Sequence, residues 1–169
     1  MHLDAAAFEA LFREHHTPLC AFVYGYVRSR AVAEEIVQDL FFALWGERER
    51  LAPRTTLRAY LYAGARNRAL HALRHERVAE RWRGDAERGA TPTGSAGPAK
   101  AADEQMVRDE SERALGAAIA ALPERTRLAA TLRWTRGLSY AECAEAMEIS
   151  VKGVEGLLAS AMRKLRARG

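Results

Sequence analysis

Cysteine is nearly absent from this 169-residue chain, and the two present, Cys20 and Cys143, exclude a disulfide or zinc framework. Each falls on the apolar side of a helical pattern, where a thiol serves as a small buried hydrophobe. Long apolar runs are missing too: none approaches the roughly 18 residues a bilayer span needs. The opening Met1-His2-Leu3-Asp4 lacks the basic-then-apolar order of a signal peptide, so a cytoplasmic protein without a membrane span is expected. No strand signal of any length competes with helical periodicity. There is no glycine-rich phosphate loop and no supported catalytic set, which argues against an enzyme and against a cofactor. His71 and His75 have the i,i+4 spacing of a helical metal site, but no Cys, Asp or Glu stands beside them with ligand spacing, so no metal is expected.

What is present suffices for globular structure, with 49% hydrophobic and 28% charged residues. The formal charge is +4, and its placement matters more than its size. Residues 1–57 carry a net −2, 58–83 a net +5, 84–122 a net −3 and 123–169 a net +4. Two separate basic blocks suggest a polyanion touched at two places.

Apolar residues recur at three and four from Phe8 through Leu11, Phe12, Leu19, Phe22, Val23 and Tyr26, then from Ile36 through Val37, Leu40, Phe41 and Leu44. Gly46 and the charged stretch to Pro53 stop the run. Thr55 or Thr56 then caps a helix over about Leu57–Arg83, and the stretch up to Arg83 reads as four helices. Between Gly84 and Ala102 the chain turns to Gly, Pro and Ser without a large apolar residue, the composition of a flexible linker. Such a coil of about 19 residues spans roughly 25 Å on average and at most about 65 Å. A helix follows over about Asp103–Leu122, ended by Pro123, and another runs from Glu124 through Trp134 to Gly137. Ser139-Tyr140-Ala141-Glu142 is a capping box opening a short helix to Met147. Glu148-Ile149 form a turn, and Ser150 caps a last helix reaching Arg168, with Val151, Val154, Leu158, Ala161 and Leu165 as its apolar stripe. The expectation is an all-α chain of two small helical domains, residues 1–83 and 103–169, joined by the linker 84–102, the second holding a helix-turn-helix.

On the helix from Leu57, the residues Leu57, Leu61, Ala65, Ala69 and Leu73 form an inward stripe. Tyr60, Gly64, Asn67, His71 and Arg74 fall on another face, flanked by Arg58, Tyr62, Arg66, Arg68, His75 and Arg77. Guanidinium groups pair with phosphates, aromatic rings stack on unpaired bases, and Asn reads a base edge bidentately, so this surface suits single-stranded or melting DNA. A solvated basic helix with core tyrosines is the competing reading of the same block.

The stretch Ala33-Glu34-Glu35-Ile36-Val37-Gln38-Asp39-Leu40-Phe41-Phe42-Ala43-Leu44-Trp45, with Leu57-Arg58-Ala59-Tyr60-Leu61-Tyr62 and Ala65-Arg66-Asn67-Arg68-Ala69-Leu70, resembles region 2 of the extracytoplasmic-function sigma factors. Leu122-Pro123-Glu124-Arg125, Gly137-Leu138-Ser139-Tyr140-Ala141-Glu142 and Ile149-Ser150-Val151-Lys152 resemble region 4 of the same family. Either half alone is moderately specific, and the two in order are highly specific. The resemblance implies an RNA polymerase sigma factor that directs core polymerase to promoters and assists melting. Glu35, Gln38 and Asp39 would then meet the clamp of the largest polymerase subunit. The loop 46–56 and the basic helix after it (Arg58, Tyr60, Arg66, Asn67, Arg68, His71, Arg74, Arg77) would hold the −10 strand with a base extruded into a pocket. An anti-sigma factor that occludes the polymerase surfaces is a further implied partner.

Region 4 would set the last helix in the major groove of the −35 duplex, with Ser150, Lys152, Gly153, Glu155 and Arg163 as candidate contacts. Lys152, Arg163, Lys164, Arg166 and Arg168 are candidates for phosphate or the polymerase flap. The chain departs from the family here. Where members often read Gly-Thr-Val-Lys-Ser-Arg, this one reads Lys152-Gly153-Val154-Glu155-Gly156-Leu157. Two glycines near a helix start cost about 1 kcal/mol each relative to Ala. They either permit close approach to DNA or are merely tolerated. Glu155 repels phosphate yet can accept from cytosine N4, which leaves the −35 sequence open. A helix-turn-helix regulator working without polymerase is the competing class, and the aromatic and basic helix at 57–83 argues against it.

Overall fold

The computed structural model describes residues 3–84 and 110–168. Among them the fold is all-α, with seven α-helices and no strand. The linker expected at 84–102 and the start of the helix expected at Asp103 lie, but for Gly84, outside the described residues. Gly84 itself closes a helix. The chain forms two compact units, Met1–Ala52 with Gly64–Lys100 and Pro53–Ala63 with Ala101–Gly169.

In the first unit α1 (Ala5–Val27) starts where the Asp4 carboxylate accepts the Ala7 N–H at 2.8 Å. It ends at Arg28 in the left-handed region, φ 56°, whose N–H reaches the Tyr24 carbonyl at 3.0 Å. Ser29 then accepts from Val32 N–H and opens α2 (Arg30–Glu47). Three helices, not four, fill the stretch up to Gly84, because α1 continues unbroken past Pro18. Proline removes one helical hydrogen bond, and the buried side chains on either side of it, His15 and Leu19, hold the helix on course. The interior is aliphatic with an aromatic end: Leu19, Val23, Val37, Leu40 and Leu44 are buried, while Phe8 meets Trp45 and Phe12 meets Phe41 edge-on, both at 4.9 Å. α3 (Leu57–Gly84) enters this unit at Gly64, where a side-chain carbon would come within 2.7 Å of Leu40 Cδ1.

The second unit takes the first turns of α3, where Ala59 and Leu61 are wholly buried. It adds α4 (Glu110–Ala120), α5 (Glu124–Ala130), α6 (Tyr140–Met147) and α7 (Val151–Arg166). Ile119, Leu122, Ala130 and Ala161 form a core cluster against which Leu165 packs. α5 runs on into a π-helical turn at Thr131–Thr135 and stops at Gly137, φ +73°, a conformation glycine adopts without strain. Both halves of the capping box are made, with Ser139 accepting from Glu142 N–H at 3.2 Å and Glu142 accepting from Ser139 N–H at 2.7 Å. Glu148 takes the left-handed region at the turn, and Ser150 accepts from Gly153 N–H at 3.0 Å to start α7. The apolar stripe of α7 is Val154, Leu158 and Ala161, with Leu165 partly buried; Val151, expected in it, is exposed at the helix's first position.

Candidate nucleic-acid interface

The basic helix presents its residues unequally. Asn67, His71, Arg74 and Arg77 are exposed, and Tyr60, Arg66 and Arg68 are half-buried. The His71 and His75 rings lie 4.6 Å apart, and among the described residues no group of three or more His, Cys, Asp or Glu side chains is gathered for a metal. Tyr62, read as flanking the outer face, is 3% exposed instead. At the start of α3 the inward face is wider than one stripe, and Ala59, Leu61 and Tyr62 are all buried there.

Residues assigned separately to polymerase and to DNA meet in the first unit. A groove of about 490 Å³ is lined by Val32, Glu35, Ile36 and Asp39 of α2 and by Asn67, Arg68, His71 and Ala72 of α3. Glu35 and Asp39 thus share a surface with Asn67 and Arg68, and the carboxylates temper the positive field of α3 there. Gln38 lines another groove of about 440 Å³ with Ala5, Phe8, Phe12, Phe41, Phe42 and Trp45. Phe42 is 82% exposed there, a large apolar side chain that sequence reasoning passed over. Its signal was available: Phe42 sits four residues after Gln38, on the same side of α2 as the polar candidates.

Arg58 is engaged within the second unit. Its Nη2 donates to Glu142 Oε2 at 2.8 Å and its Nε to Oε1 at 3.3 Å, while Thr56 Oγ1 donates to Oε1 at 2.6 Å. The Glu142 side chain is 8% exposed. Burial opposes its ionisation, but hydrogen bonds from Arg58, Thr56 and the Ser139 N–H, together with the Arg58 charge, prevail and hold the carboxyl at about 2. Beside it, Glu145 accepts the backbone N–H groups of Thr55 at 2.9 Å and Arg54 at 3.2 Å, and the Thr55 hydroxyl. Sequence reasoning placed Glu142 only in the capping box and gave Glu145 no role.

In the helix-turn-helix, Ser150, Lys152, Glu155 and Arg163 are exposed, as are Lys164, Arg166 and Arg168. Gly153 is half-buried, and a side-chain carbon there would press on Ser150 Oγ at 3.3 Å and Ile149 Cδ1 at 3.4 Å. Its small size therefore serves the turn itself. Gly156 faces open space. Cys143 is buried, and burial pushes its thiol up to about 11, whereas Cys20 is half-buried with Sγ 3.7 Å from His16 Nε2. Among the described residues no helix is long and apolar enough to cross a membrane.

Two family descriptions match the chain in order: Sigma-70 region 2 over residues 11–78 and Sigma-70 region 4 over residues 112–165. The chain belongs to the sigma-70 family of RNA polymerase sigma factors, in the extracytoplasmic-function type. It is 36% identical over 90 residues to the RNA polymerase sigma factor CarQ of Myxococcus xanthus, a match covering 53% of this chain and 51% of that protein. Its fold is similar to that of the sigma factor RpoE in complex with the anti-sigma factor NepR from Bartonella quintana, with TM-score 0.63 and 20% identity over 95% of this chain and 94% of that one. It is likewise similar to CnrH in complex with the cytosolic domain of CnrY, with TM-score 0.62 and 22% identity over 97% and 88%.

Proposed function

We propose that this chain, itself no enzyme, acts in the cytoplasm by directing core RNA polymerase to a set of promoters and assisting their melting. The observation that carries the reading is the occurrence in one chain, in order, of both region 2 and region 4. Residues 1–83 serve as the domain for polymerase and the −10 strand and 103–169 as the −35 reader, with 84–102 joining them. Glu35, Gln38 and Asp39 meet the polymerase clamp, and Phe42 supplies the apolar anchor such a contact needs beside its polar rim. Arg58, Tyr60, Arg66, Asn67, Arg68, His71, Arg74 and Arg77 hold the unpaired −10 strand, where stacking and polar edge contacts offset the few kcal/mol of unstacking a base. Ser150, Lys152, Gly153, Glu155 and Arg163 face the −35 duplex, with the remaining cations of α7 on phosphate or the polymerase flap. An anti-sigma protein, as in the complex of RpoE with NepR, is a fitting regulator. Capture of core polymerase by the full chain, followed by run-off transcription on a promoter library, tests the proposal. Capture with defined start sites is the expected result, and a chain that neither binds polymerase nor yields a start refutes it. Asn67→Ala should weaken open-complex formation more than polymerase capture.

A further inference from the structure

Four residues around the start of α3, Arg54, Thr55, Thr56 and Arg58, converge their donors on two carboxylates. Arg54 and Thr55 give backbone N–H groups to Glu145, and Thr55 gives it its hydroxyl as well. Thr56 gives its hydroxyl and Arg58 its guanidinium to Glu142. Two backbone amides, two hydroxyls and one guanidinium, gathered where a helix begins, form a donor set with no base-reading geometry and a strong preference for an anion. The same residues fall where the proposed −10 surface begins, and a phosphodiester presents two anionic oxygens to such a cradle.

We propose that residues 54–58 form a phosphodiester cradle for the unpaired promoter strand, and that Glu142 and Glu145 fill it in the free chain as built-in competitors. The proposal rests on the function proposed above. Exchange leaves no buried group stranded. Glu142 keeps the Ser139 N–H of its capping box when the cradle lets go, so its helix start stays closed. Glu145, half-buried, returns to water. The five donors pass from carboxylate to phosphate without losing an anionic acceptor, which lets one surface be closed in the free chain and open on DNA.

The test is binding of the full-length chain, without polymerase, to a fluorescein-labelled single-stranded DNA 12-mer of random sequence. Glu145→Gln should tighten binding about fivefold, the equivalent of one charge-assisted contact released. Glu112→Gln, the same charge change on exposed α4, should alter it less than about twofold. Glu142→Gln, which retains an oxygen for the capping box, should act in the same direction as Glu145→Gln, with thermal melting to verify the fold. Arg58→Ala in the Glu145→Gln background should abolish the gain. If Glu145→Gln and Glu112→Gln behave alike while Arg58→Ala still weakens binding, the competition is wrong and the −10 assignment survives. If Arg58→Ala has no effect in either background, the −10 assignment at this end of α3 fails and the cradle with it.

Discussion

Acid should unfasten the second unit only at and below the pH where ordinary surface carboxylates protonate, between about 4 and about 2. Glu142 is held at about 2 in the folded chain, against about 4.3 for an unfolded Glu. A carboxyl depressed in this way contributes stability that is complete above the unfolded value and fades as the pH falls toward the folded one. The difference corresponds to about 3 kcal/mol near neutrality, about half of it gone by pH ~3. Removing the charge by Glu142→Gln should therefore cost up to about 3 kcal/mol at pH ~6 and much less at pH ~3. Arg58→Ala should cost less, about 1–2 kcal/mol, because Arg58 is 36% exposed and Glu142 keeps its bonds from Thr56 and Ser139. The assay is urea denaturation across this pH range with Trp134 as sole tryptophan, Trp45 and Trp82 being replaced by Phe so that fluorescence reports the second unit alone. Parallel loss of stability in the parent and in Glu142→Gln as the pH falls would refute the depressed carboxyl and the clasp built on it.

Three further outcomes are expected. Gly64→Ala should destabilise the first unit by about 1–3 kcal/mol, since its new carbon meets the fully packed Leu40, whereas Gly156→Ala, opening onto free space, should stabilise α7 by about 1 kcal/mol; thermal melts separate the two signs. Phe42→Ala should leave the melting temperature within a degree or two yet weaken capture of core polymerase about tenfold, as loss of an exposed aromatic anchor would; equal capture would remove Phe42 from the interface. Glu155→Ala should change the upstream promoter preference in a binding selection, and an unchanged preference would leave Glu155 a bystander.

Local chemistry was the legible part. Ser139 with Glu142, Ser150, and Thr56 accepting the Ala59 N–H at 3.1 Å each start a helix where a capping residue precedes apolar periodicity, because a cap is decided within four residues. The start of α3 at Leu57 and both ends of α6 were readable for that reason. Tyr62 was misplaced because a tyrosine at helical spacing is equally suited to a wet face or to a core, and only its neighbours in space choose. The count of four helices up to Arg83 exceeded the three present, because the packing that carries one helix on past Pro18 is not visible in sequence.

Sequence alone determined the all-α class, the starts of α3, α6 and α7 and the order of a region 2 and a region 4, since each depends on residues a few positions apart or on a linear pattern. The tertiary structure alone decided that Glu35 and Asp39 share a groove with Asn67 and Arg68, and that Arg58, 84 positions from Glu142, gives its guanidinium to that carboxylate. A capping glutamate looks the same in sequence whether or not a distant arginine reaches it. Burial to 8% exposure and a carboxyl held at about 2 arise only when folding brings those charges together out of water.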